Sequence, residues 1–139
     1  MTNTPHSETT TDGIRIHAAA QFLPGESEPQ NKRYVFAYKI TMTNVDSAPA
    51  KLVSRHWVIV DSEGRREEVR GRGVVGEYPK LAPGESYSYV SYSPIGTKWG
   101  TMEGSYTFVR DDGTRFQVAI GRFFLVPTAP PLVLESPSR

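Results

Sequence analysis

The spacing Gly71-x-Gly73-x-x-Gly76 carries the letters of a dinucleotide fingerprint. In that fingerprint the glycines end a buried strand and open a helix whose N-terminus holds pyrophosphate. Here the preceding residues, Arg65 to Arg70, form a charged arm, and Glu77-Tyr78-Pro79 beyond cannot start the required helix. Context therefore excludes a Rossmann site. Two readings remain. A glycine-rich loop can turn its backbone N–H groups into an anion nest, with Arg72 adding charge beside Gly71, Gly73 and Gly76; a nucleotide or pyrophosphate would then be the ligand. The same glycines also permit a bulge or positive φ angles where a chain changes sheets, and such bends are common in sandwiches.

His56 stands between Arg55 and Trp57. On a strand, neighbours point to opposite faces, so a core-facing Trp57 shares its side with Arg55 and sends His56 to the other. Stacking or a hydrogen bond to a carbonyl would hold Arg55 near the sheet end. A lone strand histidine is more often structural than catalytic. His6 and His17 offer no ligand spacing, and there is no recurring acidic loop, so neither a metal site nor a cofactor is expected. With no cysteine and no Gly-x-Ser-x-Gly elbow, one structured histidine would have to serve every general-base role, and no catalytic residue is assigned. Asp111-Asp112-Gly113 reads as a hairpin turn. Tyr78, Tyr92 and Trp99 fall in or near loops; together with Arg55 and His56 they have the composition of a protein-binding patch. Aromatics so placed equally serve to cover the open ends of a sandwich.

Charge narrows the partners. Sixteen Lys and Arg against fifteen Asp and Glu leave a net charge of +1, whereas a dedicated nucleic-acid binder normally shows a basic face. Arg65, Arg66, Arg70 and Arg72 cluster, but Glu63, Glu67 and Glu68 sit among them, which reads as a solvated hairpin with cross-strand ion pairs. No apolar stretch approaches the roughly 20 residues a membrane helix needs. Met1 to Asp12 lacks the basic start and apolar run of a secretory signal, and the absence of cysteine fits a cytoplasmic address.

The elements that must position these residues are strands. The chain of 139 residues is the size of one domain, and it holds 46 strand-favouring Val, Ile, Thr, Phe, Tyr and Trp against 18 Ala, Leu and Met. Ile14 to Ala20 alternates, as does Tyr34 to Asn44, where Tyr34, Phe36, Tyr38, Ile40 and Met42 share one parity. Lys51 to Asp61 is apolar on both faces and reads as a central strand, closing a hairpin into Arg65–Arg70. Ser86 to Ser93 alternates again, and Met102–Arg110 with Arg115–Phe124 forms a final hairpin. The profile is an all-β sandwich of about seven or eight antiparallel strands. Leu81-x-Pro83-x-x-x-Tyr87 resembles the inter-sheet corner of fibronectin-like sandwiches. Residues 1–12 are expected to be a disordered tail, 13–126 the domain, and 127–139 an extended Pro-rich tail.

Three runs go further: Ser54-Arg55-His56-Trp57, then Gly71 through Pro79, then Leu81-Ala82-Pro83-Gly84-Glu85. With Tyr89-Val90-Ser91, Gly100 through Tyr106 and Ile120 through Leu125, they closely resemble the ApaG family over roughly Ile14 to Val126. The resemblance implies a fibronectin type III-like, immunoglobulin-like sandwich. It also implies a small bacterial protein linked genetically to cobalt and magnesium resistance and to diadenosine tetraphosphate metabolism, with no established enzymatic activity. Related domains at the ends of eukaryotic proteins look like binding modules. The expected function is thus a non-enzymatic interaction module whose partner is another protein, the alternative being a nucleotide or pyrophosphate sensor at Gly71–Gly76. A free edge strand would also allow pairing with a second copy as a homo-dimer.

Overall fold

The computed structural model describes residues 5–127. Nine strands run in chain order: β1 His6–Thr11, β2 Ile14–Phe22, β3 Tyr34–Asn44, β4 Ala50–Asp61, β5 Arg66–Arg72, β6 Lys80–Leu81, β7 Ser86–Ile95, β8 Gly100–Val109 and β9 Arg115–Leu125. Two single 3-10 turns, Pro24–Glu26 and Pro29–Asn31, lie in the polar loop before β3. One sheet has the order β1-β2-β3-β7; the other runs β5-β4-β8-β9, with β6 paired to the start of β4. Every pairing is antiparallel. The chain is an all-β, open sandwich.

Alternation builds the core. Ile14, Ile16, Phe36, Ile40, Met42, Leu52, Phe108 and Phe123 are fully enclosed between the sheets. The Trp57 ring sits among Tyr38, Tyr106 and Phe123, meeting the first edge-on at 5.2 Å between centroids. Such edge-to-face pairs add to the area each ring buries. The buried hydroxyls of Tyr89 and Tyr106 hydrogen-bond each other across the sheets. Asn44, also fully buried, donates from Nδ2 to the Ala48 and Leu81 carbonyls at 2.8 and 2.9 Å, tying the β3–β4 turn to β6.

The segment expected to be a disordered tail contributes a strand instead. Asp12 and Gly13 both have positive φ (47° and 84°), so they turn the chain tightly and pair β1 with β2 from His6–Ala19 to Thr11–Ile14. The segment buries almost nothing apolar, which is why it reads as a tail. Its hydroxyls hold it in place: Ser7 Oγ donates to the Gly121 carbonyl at 2.6 Å, Thr9 Oγ1 to the Ala119 carbonyl at 2.8 Å, and the Ala119 N–H to Thr11 Oγ1 at 3.3 Å. β1 thereby closes one side of the sandwich against β9. The two-residue β6 is the other strand beyond the expected set. The extended C-terminal tail lies, apart from Pro127, outside the described residues.

Candidate functional site

The opposite side stays open. There the edge strands β5 and β7 face each other across a gap, because no strand pairs with the outer edge of either among the described residues. A cleft of about 270 Å³ runs between them, floored by Tyr38, Trp57, Ile59 and Met102. Glu67 and Val69 of β5 form one wall, and Ser91 to Pro94 of β7 the other. It continues into a wider groove of about 500 Å³ through the shared residues Ile59, Glu67 and Pro94, where Lys32, Arg33, Arg65 and Arg66 join the lining.

Arg55 and Trp57 share the inner face of β4, as alternation requires, and both line the cleft. Arg55 Nη1 donates to the carbonyls of Arg72 and Gly73 at 3.0 and 2.9 Å. Among the described residues no carboxylate pairs with it, and its charge is held there by hydrogen bonds alone. Trp57 is only 2% exposed, and among the described residues its Nε1–H has no hydrogen-bond partner. An unpartnered buried donor costs roughly 1–3 kcal/mol. Burial raises the Tyr38 phenol pKa, against the opposing pull of a Ser91 hydrogen bond and the Arg55 charge; the phenol therefore stays protonated at neutral pH. Tyr92 lines the cleft from the β7 edge and is 62% exposed, and alternation along β7 turns its ring to the outer face beside Leu23 and Val35.

The other residues singled out from sequence lie elsewhere. His56 is on the outer face of β4, with Nε2 2.8 Å from Glu68 Oε1. Glu68 also receives Arg66 and Arg70 at 3.1 and 3.3 Å. These contacts, the His56 hydrogen bond first and Arg66 next, hold its carboxyl below the usual range. Trp99 sits in the loop before β8, its carbonyl accepting from Thr97 Oγ1 at 2.8 Å. Tyr78 accepts a 3.3 Å hydrogen bond from Arg72 Nε, and the guanidinium lies 5.8 Å from its ring centre. Arg55 and Tyr92 therefore meet in one cleft, while His56, Tyr78 and Trp99 do not join them.

The glycine run now has a local account. A Cβ on Gly71 would fall 2.6 Å from the Arg55 guanidinium carbon, so the glycine admits that side chain. Gly73 has φ +63°, and a Cβ there would lie 2.5 Å from the Glu77 carbonyl oxygen. Beyond it, Val74 and Glu77 exchange backbone hydrogen bonds of 2.9 and 2.8 Å around Val75 and Gly76. The Gly73 N–H donates to the Val53 carbonyl at 3.0 Å. Two of the four N–H groups from Gly73 to Gly76 are thus committed to backbone carbonyls. The Arg72 and Gly73 carbonyls turn toward Arg55.

Sequence reasoning did not bring Lys32, Arg33, Val69, Ser91 and Ser93 to this site. They come from three separate stretches that meet only because β5 and β7 are both edges. Alternation does place Tyr38 and Trp57 inward, but the order of strands in a sheet is not written in alternation.

Among the described residues no three His, Asp or Glu side chains gather as a metal-ligand set, and no helix is long and apolar enough to cross a membrane. A family model for the ApaG domain matches residues 24–110. Protein ApaG of Aromatoleum aromaticum is 54% identical over 112 residues, covering 81% of this chain and 88% of that one. Protein ApaG of Dechloromonas aromatica is 49% identical over 119 residues, covering 86% and 94%. A crystal structure of an ApaA protein from Bordetella pertussis superposes with a TM-score of 0.78 at 42% identity, covering 90% of this chain and 97% of that one. On this sequence and structural likeness the chain belongs to the ApaG family.

Proposed function

We propose that the chain is a non-enzymatic interaction module of the cytoplasm, receiving another protein on the open side of the sandwich. One observation carries the reading: the cleft between β5 and β7 sets the un-neutralised Arg55 and the unpartnered Trp57 indole beside the exposed Tyr92. Aromatic and arginine anchors around a desolvated pocket are what protein recognition uses. The cleft lining offers serine hydroxyls but no histidine to activate them. The anion-sensor reading of Gly71–Gly76 has less behind it, because the Gly73 and Val74 N–H groups are committed and Arg72 engages Tyr78.

The test is a photo-crosslinking residue placed at Tyr92 in living cells, with Lys51 as an exposed control on β4. The expected outcome is a discrete protein adduct at Tyr92 that is absent at Lys51 and lost when Arg55→Ala is added. Adducts no different from the Lys51 control would refute the reading.

A further inference from the structure

A sandwich of two sheets has four edges, and three of these are guarded. β1 and β9 cover each other through the Ser7, Thr9 and Thr11 hydroxyls. For β5, the phase of its ladder decides what faces out. The Asp61 N–H donates to the Arg65 carbonyl and the Gly73 N–H to the Val53 carbonyl, each at 3.0 Å. The odd-numbered residues of β5 therefore bond to β4, and Arg66, Glu68, Arg70 and Arg72 turn their backbone groups outward. All four are charged, a common protection of an edge.

β7 has no such protection. The Leu23 N–H donates to the Val35 carbonyl at 2.9 Å and the Val45 N–H to the Gly13 carbonyl at 2.8 Å, so odd residues of β3 serve β2 and even ones serve β7. The β7 partners of those even residues are odd, with Tyr89 opposite Ile40 and Ser91 opposite Tyr38. Ser88, Val90 and Tyr92 are left with outward N–H and C=O groups and, among the described residues, no partner strand. Pro94 falls in the same phase, where a missing N–H leaves the ladder intact. All ten residues of β7 are uncharged.

We infer that β7 is a strand-addition edge, and that its occupant is an extended acidic segment of the partner protein. This rests on the open-side reading above and specifies how that site binds. A strand laid about 4.8 Å beyond β7 would roof the cleft and send alternate side chains toward Arg55 and Trp57. Charge selects the occupant. Lys32, Arg33 and Arg55 have no carboxylate partner among the described residues, and the cleft and groove together hold five cations against Asp61 and Glu67. A second copy paired through its own β7 would bring an uncharged strand and the same cations, so it fits less well.

The test uses the full chain and peptides of about twelve residues selected on it from a random display library. Enriched peptides should alternate β-branched or aromatic residues with Asp or Glu. On binding they should slow hydrogen exchange at the Ser88, Val90 and Tyr92 amides by about ten-fold or more. Methylating the peptide's backbone nitrogens in one alternate phase should weaken binding by about ten-fold, and methylating the other phase should not. Val90→Pro, which removes one outward donor, should mimic that loss; the methylated peptides carry the test if this variant does not fold. Selection without acidic enrichment, or binding indifferent to methylation in both phases, would overturn the proposal. So would protection of the same amides by concentration of the chain alone, which would make a second copy the occupant. A specific adduct at Tyr92 without amide protection would refute strand addition while leaving the interaction reading standing.

Discussion

At the scale of single residues, Val75 is the clearest strain in the chain. It has φ +43°, Gly76 follows at +81°, and the Val75 side chain is 54% exposed. Left-handed backbone costs an L residue about 1–2 kcal/mol, and branching at Cβ makes it worse. Two positive φ angles in a two-residue turn are the geometry that Asn-Gly prefers. Val75→Asn should therefore stabilise the fold by about 1 kcal/mol and raise Tm by roughly 3–5 °C in calorimetry. A lower Tm would mean that the valine side chain makes a contribution its exposure conceals. The GxGxxG letters were legible in the sequence, and so was the exclusion of a Rossmann helix. That Gly71 exists to admit Arg55 was not, because the two are sixteen residues apart and meet only through the β4–β5 register.

At the scale of elements, the β4–β5 hairpin is held by a carboxylate and arginine cluster whose pH response has a definite sign. His56 first and Arg66 next depress Glu68. Desolvation works to raise Asp61, but the Arg65 and Glu63 backbone N–H groups and the Arg65 guanidinium outweigh it and the net shift is downward. Because both folded-state pKa values lie below the unfolded ones, the unfolded chain takes up protons first on acidification. Their stabilisation is present above the unfolded carboxyl pKa and is lost as pH falls through the folded values. Urea midpoints should stay flat down to about pH 5 and then decline toward pH 3. The decline should be shallower in Glu68→Gln with Asp61→Asn, and an unchanged slope would place the acid-sensitive groups elsewhere. Period-two alternation sufficed to find β3, β4, β7 and the β8–β9 hairpin. It failed for β1, where the Asp12-Gly13 turn was the available signal and the Ser and Thr hydroxyls that pin the strand have no apolar period.

At the scale of the whole molecule, the sandwich is closed on one side by β1 against β9 and open on the other between β5 and β7. On the reading proposed above, that open side is the face that receives the partner. Composition and alternation carried the all-β class and the resemblance carried the family; strand order, and with it the open side, depends on contacts between distant stretches. Two tryptophans differ enough to report on it: Trp57 is buried in the cleft floor with a free indole N–H, while Trp99 is 44% exposed in a loop. The most direct measurement is an amide and indole N–H shift map of the labelled chain. Pyrophosphate and ATP would be titrated first, with and without Mg²⁺, and then the protein captured at Tyr92. The account predicts that the captured protein moves the Trp57 indole and the β7 amides, and that the anions at millimolar concentration move neither these nor Gly71–Gly76. Saturable anion shifts confined to Gly71, Arg72, Gly73 and Gly76 and abolished by Arg72→Ala, with the cleft unmoved throughout, would contradict it.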